Sequence, residues 1–352
     1  MNSIHYVGFD VHKKRTSYCI KLQDGTIVEE GEFLSRPAAL DQWCHLRTMP
    51  WEGALEATLF SDWIYDRLEP HAVELSMADA RKLDAIGKAK KKTDRHDARM
   101  LADLLRCNLI PACYVAPAYI RELRRMLRFR NLLVHQAVRM MNCTAGLLMQ
   151  TGVSYNKEKL HGKRYFGELL DSLEDVPESV IELLRYSRAA TELFINTQRR
   201  LLDKLRDHPR LCERVAVLRT IPGVGEVTAL TWVLEVGEHE RFPSARHAAS
   251  YCGLTAAFRE SAGKCQRGPI SKQRNAHLQT VLIEAAKLAP RWNPVLAEVR
   301  ERALQRGNRN QATLTVARKL VAYLLAVDRS GQRFQMPETA TPETEAATTK
   351  TT

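Results

Sequence analysis

The sequence predicts an α/β region with a mixed sheet at its N-terminal end, followed by a mainly helical region. Three observations lead there. Between Ile4 and Met77 the apolar segments follow a β-β-β-α-β-α-β order, which implies a mixed sheet with helices on its faces. Leu109 to Pro117 carries Pro111 and Pro117 and reads as a linker. From Tyr119 onward, apolar residues recur at helical spacing.

Ile4 to Asp10 (IHYVGFD) is an apolar run rich in aromatic and β-branched residues that closes on a carboxylate, and it predicts a first strand with Asp10 at its carboxyl end. Thr16 to Leu22 and Thr26 to Phe33 flank Asp24-Gly25, a hairpin signal. Leu40, Trp43 and Leu46 keep helical spacing, and Gly53 to Ala57 offers a fourth strand carrying Glu56. Helix Ser61 to Leu68 and strand Ala72 to Met77 complete the pattern.

Beyond the linker, Leu123, Met126, Leu127, Leu133, Val134, Ala137 and Met141 mark a long helix whose remaining positions carry Arg121, Arg124, Arg125, Arg128, Arg130 and Arg139. A charged helix surface is the plain account of them, but their excess over acids favours phosphate contacts. Thr151 to Arg164 reads as a loop. A second long helix over about Glu178 to Arg206 repeats the pattern through Leu183, Leu184, Phe194, Leu201 and Leu205. The pair suggests an antiparallel hairpin or a coiled coil that dimerises.

Ile221-Pro222-Gly223-Val224-Gly225 lies between two helical patterns. It reads as the turn of a helix-hairpin-helix, in which Gly223 and Gly225 let the backbone approach phosphate oxygens, in preference to an ordinary tight turn between two core helices. Ser244 to Leu254 predicts a short helix, and Phe258 to Lys272, rich in glycine, serine and cations, a loop. Helices Asn275 to Leu288, Trp292 to Gln305 and Gln311 to Val327 follow. Gln335 to Thr352 is poor in large apolar residues and reads as disordered. The expected divisions are 1–110, 111–208, 209–330 and a tail, 331–352.

At 352 residues with 45% hydrophobic and 27% charged, the chain can bury sizeable cores. A net charge of +12 points to a polyanionic partner, nucleic acid first. No apolar run approaches the roughly 20 residues of a spanning helix, and no secretion signal leads the chain. A cytoplasmic protein is expected. Eight cysteines without a C-x-x-C pair fit neither a zinc site nor a disulfide framework, and read as reduced thiols, mostly buried.

The chemistry gathers around Lys88 to Arg99 (KAKKKTDRHDAR). If a helix starts near Thr93, Asp94 and Asp97 point the same way from its first turn, and two like charges that close call for a cation between them. Helix capping by Thr93 and dipole complementation by the two aspartates account for the same residues without a metal. Asp10 and Glu56 at strand ends tip the balance, because four converging carboxylates are what a two-metal phosphoryl-transfer site needs. Lys88, Lys90, Lys91, Lys92 and Arg95 then form a rim for a nucleic-acid backbone.

Taken in order, these residues resemble the DEDD-type insertion-sequence transposases, also described as bridge-RNA-guided recombinases. The resemblance runs from Tyr6-Val7-Gly8-Phe9-Asp10 through Leu55-Glu56-Ala57-Thr58 and Lys92-Thr93-Asp94-Arg95-His96-Asp97-Ala98-Arg99. It continues through Ile221-Pro222-Gly223-Val224-Gly225, Tyr251-Cys252-Gly253-Leu254-Thr255 and Glu260-Ser261-Ala262-Gly263 to Gly268-Pro269-Ile270-Ser271-Lys272. Leu59 stands where the family often has glycine. The resemblance implies a RuvC-like (RNase H-type) N-terminal domain, a coiled-coil connector and a C-terminal transposase domain with a serine nucleophile. It places the metal carboxylates on Asp10, Glu56, Asp94 and Asp97, holding Mg2+ as two ions with Mn2+ as a substitute, and the nucleophile on Ser261. Arg259, Lys264 and Arg267 flank that serine and are candidates to hold the scissile phosphate, with Lys272 further along as a nucleic-acid contact. The implied partners are element and target DNA, a non-coding bridge RNA, and further copies of the chain as a dimer or tetramer. A Holliday-junction-resolvase-like nuclease and a non-catalytic nucleic-acid-binding protein are the competing readings.

Overall fold

The computed structural model describes residues 4–86, 93–261 and 264–336. Contacts divide the chain after Ala118 into two compact units.

In the first unit, β1 (His5–Val11), β2 (Arg15–Lys21) and β3 (Ile27–Leu34) form an antiparallel meander. The β2–β3 turn is built by Asp24, whose Oδ1 accepts from the Thr26 amide at 2.8 Å, and by Gly25 at φ 91°. Helix α1 (Pro37–His45), strand β4 (Trp51–Glu56), helix α2 (Ser61–Leu68) and strand β5 (Glu74–Ala78) follow. β4 lies parallel to β1 and β5 parallel to β4, giving the sheet order β3-β2-β1-β4-β5. Alternation along β1 assigns its faces. Val7, Phe9 and Val11 pack with Trp43, Trp51, Ile64 and Leu68 in one core.

Gly8 and Asp10 point to the other face. There α3 (Ala80–Ile86) and α4 (Asp94–Arg106) complete the unit. A Cβ on Gly8 would lie 2.1 Å from the Ala98 carbonyl oxygen, so α4 rests directly on the β1 backbone at a point where only glycine fits. Buried Lys21 on β2 donates to Asp103 at 2.6 Å, and Arg99 pairs with Glu30, tying the helix down along its length.

The second unit opens with α5 (Ala118–Gln150), beside which α7 (Glu178–Arg206) runs antiparallel, with Thr144 Oγ1 and Ser187 Oγ 2.8 Å apart. Their shared end is closed by α6 (Lys163–Asp171), where Leu160, Phe166 and Leu169 pack on Leu148 and Leu184. Thr151 to Arg164, expected as a loop, runs into the start of α6 at Lys163, and buried Leu160 anchors it to the core. Leu183, expected on the apolar stripe of α7, is exposed, because Leu184 takes the inward position.

Helices α8 (Cys212–Leu218), α9 (Glu226–Val236), α10 (Ala245–Tyr251), α11 (Ala276–Leu288), α12 (Pro294–Arg306) and α13 (Arg309–Ser330) form the rest of the unit. The expected loop over Phe258 to Lys272 is instead a two-stranded antiparallel hairpin, β6 (Ala256–Ser261) and β7 (Lys264–Ile270). Its glycine, serine and charge content suits an exposed ribbon, in which backbone pairing rather than a buried apolar face holds the strands together. Gly331 caps α13 in the left-handed conformation, and Phe334 then stacks on Tyr323 while its amide donates to Thr220 Oγ1 at 2.8 Å. The chain is therefore anchored past 331, and the remainder of the expected tail, 337–352, lies outside the described residues. Three cysteines are buried (Cys19, Cys44, Cys252) and four are exposed, which corrects the expectation of mostly buried thiols. Among the described residues no helix is long and apolar enough to cross a membrane.

Candidate metal centre

Asp10 ends the face of β1 that α4 covers and is 6% exposed. On β2 its register partner is Ser17, also buried. On the other side Phe9 pairs with Leu55, so Glu56 occupies the next position of the parallel ladder and shares the face of Asp10. Backbone geometry at Glu56 is set by buried Ser61, whose hydroxyl donates to the Glu56 carbonyl and accepts from the Thr58 amide at 2.9 Å. Leu59, the departure from the family pattern, is 96% exposed and leaves that network untouched.

Helix α4 brings the other carboxylates. Thr93 is its N-cap and accepts from the His96 amide, and Asp94 and Asp97 lie in the first turn. The cap that the sequence suggests is therefore present, and the same cap places both aspartates in the first turn of α4. Burial pushes the Asp10 carboxyl up to about 6, His12 works against that, and the charges of Asp94 and Asp97 add to it. The two helix aspartates are thus felt electrostatically at Asp10, as converging carboxylates require.

The sequence reading missed His12. Its Nε2 lies 3.1 Å from Asp10 Oδ2 and 3.5 Å from Asp94 Oδ1, and ligand atoms of Asp10, His12 and Asp94 all fall within 4.8 Å of one another. The available signal was its place two residues after a strand-end aspartate, which in extended backbone puts both side chains on one side. A buried carboxylate with a raised pKa beside further carboxylates and an imidazole is a donor set that fits a divalent cation. Ser17, Gly31, Glu32, Thr93, Asp94 and Arg95 line an adjoining groove of about 390 Å³, which sets Arg95 at the rim. Lys88, Lys90, Lys91 and Lys92 lie outside the described residues.

Residues 7–153 match the family model for the transposases of the DEDD IS110 type, and residues 215–301 match that of the IS116/IS110/IS902 transposase family. The chain belongs to the DEDD-type IS110 transposase family. Among curated relatives of that kind, a Sinorhizobium fredii protein named as a transposase is 26% identical over 268 residues, 69% of this chain and 66% of its own length. A family 20 transposase of Pseudomonas aeruginosa is 25% identical over 245 residues, 67% of this chain and 72% of that one. The transposase for insertion sequence element IS1111A of Coxiella burnetii is 27% identical over 202 residues, 56% and 54% of the two chains. The chain thus spans about two thirds of the first two relatives and about half of the third.

Within the IS110-family match to the second unit, Ser261 is the last residue of β6, and its register partner is Lys264. In the same backbone register Arg259 lies opposite Gln266 and Arg267 opposite Phe258. Gly223 of the expected helix-hairpin-helix turn has φ 92°, and a Cβ there would lie 2.4 Å from that of Ala289. Packing on Ala289 therefore requires glycine at 223 independently of any phosphate, whereas Gly225, the N-cap of α9, is exposed. Of the arginines on α5, Arg121 is buried, Arg124 donates to the Leu234 carbonyl, Arg128 is held by Glu235, and Arg125 is exposed.

Proposed function

We propose that the chain is the transposase of an insertion sequence, cleaving and rejoining DNA strands at a divalent-metal site on Asp10, Glu56, Asp94 and Asp97, with Ser261 as nucleophile. The observation that carries the metal half is the gathering of Asp10, Asp94 and Asp97 where β1 meets α4, with Asp10 pushed up to about 6. A divalent ion bound there, Mg2+ in the ordinary case, supplies positive charge to phosphate oxygens as they develop negative charge.

The chain's own residues do the rest. Asp10, Asp94 and Asp97 fix the polar end of the sheet, and Arg95 at the groove rim offers a bidentate phosphate contact. Ser261 Oγ forms a bond to the scissile phosphorus as the phosphorus–sugar oxygen bond breaks; the hydroxyl proton leaves to a base and the departing sugar oxygen takes one up. One phosphodiester replaces another, so the reverse attack by a different strand end reseals DNA without ATP. Position at the end of a hairpin beside Lys264 supports Ser261 in this role, since a ribbon tip can reach a duplex backbone. The positive net charge supports DNA and a guiding non-coding RNA as partners, and the α5/α7 hairpin supports self-association.

Ser261→Ala tests the reading on a supercoiled plasmid bearing element ends. Loss of strand exchange and of any covalent protein–DNA adduct, with DNA binding kept, is the expected result. Metal-dependent cleavage at wild-type rate without an adduct would make the protein a water-using nuclease. Metal-independent behaviour in every assay would make it a binding protein.

A further inference from the structure

We infer that His12 is a nitrogen ligand of the cation held by Asp10 and Asp94, which makes the centre a mixed carboxylate and imidazole site rather than an all-oxygen one. The inference rests on the metal reading above and deepens it.

The argument is geometric. β1 ends at Val11, and the His12 amide donates to the Arg15 carbonyl at 3.1 Å, which closes the β1–β2 turn and fixes the backbone from which the ring projects. From there a single atom, Nε2, faces two carboxylates on different elements: Asp10 Oδ2 at 3.1 Å and Asp94 Oδ1 at 3.5 Å. In an octahedral site with bonds of about 2.1 Å, adjacent ligand atoms sit about 3.0 Å apart. Both His12 separations are close to such an edge, so a cation can enter among the three side chains with small adjustments. A surface imidazole paired with one carboxylate has no need of the second. The ring is 56% exposed and is not held by core packing, which leaves it free to make those adjustments.

Ligand chemistry gives the consequence. Carboxylates alone suit Mg2+ and Mn2+, whereas an imidazole favours borderline transition ions over Mg2+. The site should therefore bind Mn2+ in preference to Mg2+, with His12 as the source of the preference.

The test uses the full chain with Mn2+ alone, without nucleic acid. Pulsed electron paramagnetic resonance of the Mn2+-loaded protein should show coupling to an imidazole nitrogen that disappears in His12→Gln and in His12→Ala. Calorimetric titration should show Mn2+ affinity falling about tenfold or more in both variants, with a smaller change for Mg2+. Asp10→Asn, as the reference, should abolish binding of either ion. Mn2+ binding without nitrogen coupling, or with coupling that survives both His12 variants, overturns the inference and leaves the metal reading standing. Absence of Mn2+ binding by the unaltered protein overturns both.

Discussion

Arg128 reaches from α5 to Glu235 on α9, 107 residues further along the chain, and closes two 2.8 Å hydrogen bonds on a carboxylate whose side chain has no exposed surface. Asn275, the N-cap of α11, donates to the same carboxylate at 2.8 Å, and the Tyr251 hydroxyl donates to the Glu235 carbonyl at 3.0 Å. Tyr251 precedes the β6/β7 hairpin and Asn275 follows it, so both roots of the ribbon that ends in Ser261 converge on Glu235.

Removing one partner of such a pair strands a buried charge, and Arg128→Ala should cost about 3–5 kcal/mol in denaturant unfolding. Burial pushes the Glu235 carboxyl up, but Arg128, Asn275 and Arg124 together hold it below its ordinary range. A depressed carboxylate contributes stability that is present above its unfolded pKa and lost as pH falls through the folded one. The wild-type advantage over Arg128→Ala should accordingly shrink below about pH 4.5. Because the guanidinium is engaged within the protein, the same variant should change the salt slope of DNA binding little, unlike a variant at a phosphate contact. A full-unit loss of slope with unchanged stability would return Arg128 to the nucleic-acid interface.

Gly8→Ala should move α4. The new methyl group meets the Ala98 carbonyl oxygen at 2.1 Å and the Ala102 amide nitrogen at 2.5 Å, neither of which can swing aside. A loss of about 1–3 kcal/mol is expected, with Mn2+ affinity falling as Asp94 and Asp97 are carried away from Asp10. Gly146→Ala is the contrast: it lies within α5 with nothing within 4 Å of the added atom, and should stabilise by about 0.5–1 kcal/mol. Equal thermal midpoints for wild type and Gly8→Ala would show that α4 does not need the glycine.

Asp10→Asn should stabilise the metal-free protein. A carboxyl raised from 3.8 to about 6 by burial penalises the folded state once it ionises. The penalty is absent below about pH 4, grows between the two values and is complete above them, on the order of 2 kcal/mol. The thermal midpoint of Asp10→Asn should therefore exceed that of wild type at pH 8 in chelator and match it at pH 3.5. Adding Mn2+ should raise wild type alone. A variant less stable than wild type at pH 8 in chelator would mean that the ionised carboxylate is welcome where it sits.

Strong periodicity made much of this fold legible. Ser61–Leu68 and Glu178–Arg206 are helices at the limits their sequence patterns set, and Asp24-Gly25 turns as an Asp-Gly pair should. The β6/β7 ribbon was hidden because its sequence, rich in glycine, serine and charge, has no alternation of apolar and polar residues to detect. At the candidate metal centre, the places of Asp10, Asp94 and Asp97 were legible because they lie near the end of a strand or in the first turn of a helix. His12 was not, since its significance lies in facing a helix that begins far downstream. Glu235 was hidden for the same reason: inside the apolar α9 a lone glutamate gives no hint of an arginine on α5.

Lys21 and Asp103, 82 residues apart, close the same face of the sheet on which Gly8 receives α4. Protein synthesis delivers β1 first and α4 after every strand of its sheet, and contacts of long sequence separation form late in folding. A nascent or partly folded chain therefore exposes Asp10 without Asp94 or Asp97. On the proposed reading the cation-binding set is complete only once α4 has docked on β1, so a polypeptide that ends before Asp94 does not yet carry it.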